Sequence, residues 1–415
     1  MKRAVVTGMG ALTPIGKNVP DFWNALINGA SGAGPITRFD ASKYKTRFAC
    51  EVKNYDPLDY IDKAEARKAD LFTQFALAAV AEAIKSAEIN LDTIDKTEVG
   101  VIWGCGQGGM TTFEEQLVEF YKGDGTPHFN PYLIPKMITN IASGVISIKY
   151  GFQGVNFGTV TACASSNTAM IEALNMIRWG KAKMFITGGS EAPLSPGPVG
   201  GFSAMKALSH RNDDPSAASR PFDKNRDGFV MGEGAGALVI EELEHALDRG
   251  ANILAELVGG AMTGDAYHLS ATHPEGEGAY RGMKLALRDA GLTIADVDYI
   301  NAHATSTPMG DISETIAINR LKADLQTKFK ISATKSMTGH LLGGAGGIEA
   351  IASIMAINTG IVPPTINTTE IDPKIPAGLD IVTGAAINHK VDVAMSNTFG
   401  FGGHNAIAVF KRFEE

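Results

Sequence analysis

The feature that most constrains this chain is a change of period inside residues 155–177, V-N-F-G-T-V-T-A-C-A-S-S-N-T-A-M-I-E-A-L-N-M-I. Ahead of Cys163, the β-branched and alternating residues Val155, Phe157, Val160 and Thr161 read as a buried strand. Beyond it, Met170, Ile171, Leu174 and Ile177 fall at helical spacing and predict a helix packed on a sheet. Cys163 therefore stands on a strand-to-helix turn. There the first free N–H groups and the positive end of the helix face the sulfur, which predicts a favoured thiolate and leaves donors for an oxyanion. A lone cysteine is more often a core residue. The small and polar company of Ala162, Ala164, Ser165, Ser166 and Asn167 points instead to space kept for a substrate.

The same scheme runs along the chain. Strands are predicted at 4–10, 99–103, 184–187 and 235–241, with a helix at 21–28 and an Ala-rich helix from Lys63 to about Ala87. Residues 39–62 read as loop. Lys63, Arg67 and Lys68 fall in the first turn of that long helix, against the helix dipole, which hints at a binding surface. After about residue 252, strands at 253–260, 297–302, 330–333, 391–397 and 406–411 alternate with helices at 278–290, 311–321 and 346–357. I-E-A-L at 171–174 resembles I-E-A-I at 348–351, and each follows a small-residue turn. The expectation is a duplicated α/β unit, halves 1–251 and 252–415, with function at the seam. G-C-G-Q-G-G at 104–109 matches neither a dinucleotide fingerprint nor a P-loop and reads as backbone passing close to a pocket.

Composition narrows the class. The chain has 415 residues and three cysteines, Cys50, Cys105 and Cys163, with no C-x-x-C spacing, so neither a zinc site nor a disulfide framework is expected. No metal and no cofactor is expected. The apolar run at 4–8 stops too early for a signal peptide, and no later run is long enough to cross a bilayer, so the expectation is a cytoplasmic protein. A net charge of −8 argues against a general nucleic-acid binder.

Chemistry concentrates in three stretches at strand ends: N-A-H-A-T-S-T at 301–307, K-S-M-T-G-H at 335–340 and N-T-F-G-F-G-G-H-N at 397–405. Either of His303 and His340 alone is more often a satisfied hydrogen-bonding residue. Together with Cys163 they form a constellation for chemistry on a thioester. With T-A-C-A-S-S and R-P-F-D-K-N-R-D-G-F-V-M-G-E-G-A-G at 220–236, these motifs resemble the β-ketoacyl-acyl carrier protein synthases, nearest the elongating type II enzymes of fatty acid synthesis. The resemblance covers essentially the whole chain. It implies a thiolase-type α/β fold, two similar halves in αβαβα layers, and a homodimer.

The resemblance also assigns roles. Cys163 would take the acyl chain, and the N–H groups of Cys163 and Phe401 would form the oxyanion hole. His303 and His340, as neutral rings, would hydrogen-bond the malonyl thioester oxygen while carbon dioxide leaves. Lys335 and Glu349 would be an ion pair that positions the site. Phe401, set among glycines, would gate the passage between acyl and malonyl sites. Gln107 and Phe202 would line the acyl pocket, Phe229 and Phe399 the substrate site, and Thr305 and Thr307 would contact the pantetheine arm. Arg67, Lys68 and Lys206 would meet the acidic acyl carrier protein.

Gln107 departs from the apolar residue common at its place. An amide in an acyl tunnel needs a partner or costs ~1–3 kcal/mol, which predicts a shorter, more polar or unsaturated chain. Ala304 and His404 replace residues often Gly and Thr. The degradative thiolases need a second, late cysteine that this chain lacks; the initiating synthases have Asn where His340 stands. A non-catalytic chain-length partner would lack the nucleophile. The remaining alternative is a ketosynthase of a dedicated polyketide or polyene pathway.

Overall fold

The computed structural model describes residues 1–323, 325 and 327–414. Five strands of the main sheet come from the first part of the chain: β1 Ala4–Leu12, β2 Val99–Gly104, β3 Asn156–Thr159, β4 Met184–Glu191 and β5 Gly234–Glu242. Five follow: β6 Ala255–Gly264, β7 Tyr299–Asn301, β8 Lys330–Ser332, β9 Val393–Gly400 and β10 His404–Lys411. In sheet order they run β3-β2-β4-β5-β1-β6-β10-β9-β7-β8. Counted within its own half, each set has the order 3-2-4-5-1, a mirror about the β1–β6 junction. The senses agree as well. β2 is parallel to β3 and β4, β7 is parallel to β8 and β9, and the remaining pairings are antiparallel. The junction itself is short, Val5 opposite Glu256 and Val6 opposite Ala255. This is the duplicated α/β fold that the sequence predicts.

Helices make the layers. α1 Leu71–Ser86 covers β1 and β5 on one outer face, and α3 Glu277–Asp289 covers β6 and β10 on the other. Between the halves lie α2 Ser165–Arg178 and α5 Ala345–Thr359, each packed on strands of both sets. α5 is buried on every face from Ala345 to Ile354, as a helix between two layers must be. The two central helices approach so closely that a Cβ on Gly346 would stand 2.5 Å from Asn167 Oδ1. Asn167 Nδ2 in turn donates to the carbonyls of Ser396 (3.0 Å) and Ala406 (3.2 Å), tying α2 to β9 and β10.

Two local expectations change. The long helix from Lys63 is two helices, Lys63–Lys68 and α1, broken at Ala69 because Asp70 caps α1 by accepting the Phe72 N–H. Arg67 and Lys68 therefore occupy the last turn of the short helix, where its dipole favours them. The strand ahead of Cys163 is a short edge strand, Asn156–Thr159, not a buried one: Asn156 is exposed and only Thr159 is buried.

Candidate active site

Cys163 sits in a single 3-10 turn, Ala162–Ala164, between β3 and α2. Ala162 takes φ +50°, a left-handed conformation that a residue with a Cβ adopts only when its surroundings impose it. Ser165 imposes it: its Oγ accepts the Thr161 N–H at 3.0 Å and donates to the Ala162 carbonyl at 2.7 Å. Thr159 Oγ1 donates to the Ser165 carbonyl at 2.8 Å. The sulfur faces the N–H groups of Cys163 itself and of Phe401. The expected thiolate is not favoured in this resting state. Burial pushes the thiol up to about 12, and Glu191 adds to that, while Lys335 and the two N–H groups pull the other way. The helix end is outweighed because a dry pocket penalises charge more than one partial dipole rewards it.

His303 follows β7. Its N–H and that of Ala304 donate to the two oxygens of Glu314, at 2.9 and 2.8 Å, and Asn397 Nδ2 donates to the same carboxylate at 3.1 Å. Glu314 lies on α4, Gly310–Lys322. His340 follows the short helix Lys335–Thr338; its N–H donates to the Val230 carbonyl at 2.8 Å and its carbonyl accepts the Gly232 N–H at 2.9 Å. The two rings meet edge to face, centroids 5.2 Å apart. Phe229 walls His340 at 5.4 Å and Phe399 walls His303 at 5.6 Å. Burial, then Lys335, holds both imidazoles well below 6.5, with His340 adding to the effect on His303, so both are neutral at pH 7. Nδ1 of each is buried without a partner among the described residues. Behind them Lys335 and Glu349, each with a side chain 1% exposed, form an ion pair; burial raises Glu349 to about 7 against the pull of Lys335.

These elements enclose a cavity of about 300 Å³. Of the residues the sequence singled out, Cys163, His303, His340, Phe401, Phe202, Phe229, Phe399, Thr305, Thr307 and Lys206 line it. Lys335 and Glu349 stand behind the wall. Gln107 is not on this cavity: its N–H donates to Glu191 Oε1 at 3.0 Å, and its Oε1 is buried without a partner among the described residues. Phe202 stands between Phe401, 6.0 Å away, and Phe229, 5.3 Å away, and all three rings line the same cavity as the histidines. Gly402 and Gly403 in that loop take φ +83° and +75°. Lys206 is exposed at the mouth; Arg67 and Lys68 are exposed on their own helix, Lys68 over the Tyr132 ring at 5.9 Å.

The sequence reading missed two buried carboxylates. Glu314 anchors the His303 turn, and burial raises it to about 7. Glu191, at the end of β4, accepts N–H groups of Gly106 (2.7 Å), Gln107 (3.0 Å) and Gly343 (2.9 Å), bridging the two halves. Glu314 lies three residues after Asp311 on the predicted helix, an inward pair that could have drawn notice. Glu191 gave no local signal, since its partners lie about 85 and 150 residues away. Among the described residues, no three His, Cys, Asp or Glu converge as metal ligands.

A buried thiol opposed by two neutral imidazoles at the seam of a duplicated α/β fold defines a carbon–carbon condensing acyltransferase. The family models agree in detail: residues 1–246 match the β-ketoacyl synthase N-terminal domain and residues 254–369 its C-terminal domain. The chain belongs to the β-ketoacyl synthase family. It is 50% identical over 413 residues to a 3-oxoacyl-acyl-carrier-protein synthase 2 of Synechocystis, covering 100% of this chain and 99% of that one. It is 49% identical over 416 residues to the synthase of the same name from Staphylococcus aureus, with the same coverage. Among solved structures, the ishigamide ketosynthase/chain length factor superposes with TM-score 0.93 at 34% identity over 100% of both chains. A β-ketoacyl synthase of Burkholderia phymatum superposes at 0.91 and 34%, again over 100% of both. A type II polyketide ketosynthase in complex with its acyl-carrier protein gives 0.91 and 32%, with the same coverage.

Proposed function

We propose that this chain elongates an acyl chain by two carbons in fatty acid biosynthesis, through decarboxylative condensation with malonyl-acyl carrier protein. The observation that carries this reading is one cavity lined by Cys163, His303 and His340 together. The Cys163 sulfur attacks the acyl thioester carbonyl; the carrier thiol leaves with the proton. In the malonyl thioester the bond to the carboxylate breaks, carbon dioxide departs, and the electron pair becomes an enolate. Neutral His303 and His340 stabilise the enolate oxygen by donating hydrogen bonds. The enolate carbon then attacks the acyl–Cys163 carbonyl; the N–H groups of Cys163 and Phe401 hold the oxyanion until the sulfur leaves as thiolate. Lys335 and Glu349 keep the wall behind the rings charge-balanced.

The half 1–251 supplies the nucleophile and 252–415 the histidines. Phe401, in the wall of the 300 Å³ cavity, gates passage between the malonyl site and an acyl pocket lined by Phe202 and Gln107. The partner is an acyl carrier protein, met by Arg67, Lys68 and Lys206, and the enzyme works as a homodimer in the cytoplasm. No helix among the described residues is long and apolar enough to cross a membrane. Mass spectrometry of the protein incubated with acyl carriers of graded length checks both the site and the chain preference. The expected adduct maps to Cys163 and is absent from Cys163→Ala. Preference for C14 to C16 carriers would contradict the assignment of Gln107 to a shorter or more polar chain.

A further inference from the structure

The turn that carries Thr305 and Thr307 is held from behind by one guanidinium that the proposed mechanism does not use. Arg226 has a side chain only 1% exposed. Its Nε donates to the Thr307 carbonyl at 3.0 Å and its Nη2 to the Pro308 carbonyl at 2.5 Å. Nη1 donates to the Asp223 carbonyl at 2.8 Å and to Asp372 Oδ2 at 2.9 Å, and Nε stands 3.2 Å from Asp311 Oδ2. Two carboxylates thus flank a planar fork whose Nε and Nη2 reach two successive carbonyls. The stretch around Arg226 completes the clamp. The Gly228 N–H donates to the Ser306 carbonyl at 3.1 Å and the Arg220 N–H to Ser306 Oγ at 3.0 Å. Ser306 is thereby kept at φ +69°, a left-handed conformation unfavourable for a residue with a side chain.

With the carbonyls of residues 306–308 drawn back into this clamp, the hydroxyls of Thr305 and Thr307 are left 3.2 Å apart in the cavity wall. We propose that Arg226 is a positioning residue for the pantetheine arm of the thioester substrate, presetting the Thr305 and Thr307 hydroxyl pair that grips it. This rests on the reading that those threonines contact the arm. A lysine in its place keeps the charge but offers a point donor, which cannot serve both carbonyls and both carboxylates at once.

The experiment compares malonyl-pantetheine with malonyl-N-acetylcysteamine, which lacks the outer part of the arm. Decarboxylation is measured per Cys163 titrated by iodoacetamide, so that misfolded protein does not count. Arg226→Lys is expected to raise KM for malonyl-pantetheine at least about fivefold, the loss of roughly one hydrogen bond. kcat and the KM of the truncated thioester are expected to stay within about twofold, below the reach of a single lost bond. Should Arg226→Lys yield no titratable thiol, Asp372→Asn on the more exposed partner carries the same criterion at about half the effect. Equal KM changes for both substrates, or none for either, overturn the proposal when Thr307→Ala still weakens malonyl-pantetheine alone. If Thr307→Ala leaves both KM values unchanged, it is the assignment of the threonines to the arm that falls.

Discussion

Lys335 and Glu349 carry opposite charges inside a wall that water does not reach, so each is tolerable only because of the other. Lys335→Ala leaves a buried carboxylate without its cation, and the expected loss is ~3–5 kcal/mol of stability together with most of the condensation rate. Urea unfolding checks it; a variant as stable as the parent but merely slow would contradict the pairing. The histidines make a prediction of opposite kind. The unfolded chain binds a proton on each imidazole near 6.5 that the folded chain refuses until far lower pH. Each therefore removes stability as pH falls below 6.5, by ~1.4 kcal/mol per unit. Glu314 and Glu349, raised from 4.5 to about 7, act in the reverse sense: their cost appears as pH rises through that window. The parent's own profile is thus partly cancelled, and a single substitution separates the terms. His303→Asn is expected to gain about 1 kcal/mol relative to the parent between pH 7 and 5.5, read from urea unfolding at both values. Parallel profiles would mean that the ring is solvated and titrates normally.

At the scale of elements, the hairpin between β9 and β10 meets the nucleophile turn with no space to spare. A Cβ on Gly400 would stand 2.6 Å from the Thr161 carbonyl oxygen and 3.0 Å from the Cys163 nitrogen, both backbone atoms that cannot step aside. Gly400→Ala must therefore lift the loop and carry the Phe401 N–H away from the sulfur. Losing one oxyanion donor costs about 10²–10³ in rate, so acylation of Cys163 should fall by that factor while the melting temperature moves little; unchanged acylation would dissociate the loop from the chemistry. This contact explains what was legible in sequence. Cys163, His303 and His340 each sit in short stretches whose neighbours in sequence are also neighbours in space, so the strand-turn-helix pattern exposed them. The clamp of Arg226 on residue 307 and the bridge of Glu191 to Gly343 join stretches 81 and 152 residues apart, with no local period to betray them. The break at Asp70 rests on a single capping aspartate, hidden under a continuous alanine-rich stripe. The thiol's charge state was misjudged because a turn reveals its dipole in sequence and its dryness only in three dimensions.

The whole molecule is two copies of one five-stranded unit joined through a two-residue pairing and a shared layer of central helices. Neither half holds both the sulfur and the imidazoles, so the reactive geometry exists only while the halves are packed together. The repeated I-E-A-L and I-E-A-I segments announced that plan, since both fall on the central helices; the strand order could not be read from them. The plan leaves β3 at an open edge of the sheet. Beside it, Ile148 at 81%, Ile134 at 59% and Val160 at 53% are exposed, an apolar surface that an edge strand of a soluble monomer would be expected to blunt with charge. A second copy meeting the first edge to edge would satisfy the free N–H and carbonyl groups of β3 and bury these side chains in one step. Cys163 lies only four residues beyond the end of β3, so the pairing would also brace the nucleophile turn. Val160→Lys places a charge at the middle of that contact. Sedimentation velocity is expected to show the parent as a dimer and the variant as a monomer at micromolar concentration, with acylation of Cys163 lost alongside. A variant that stays dimeric with full activity would mean that the two copies meet through another face.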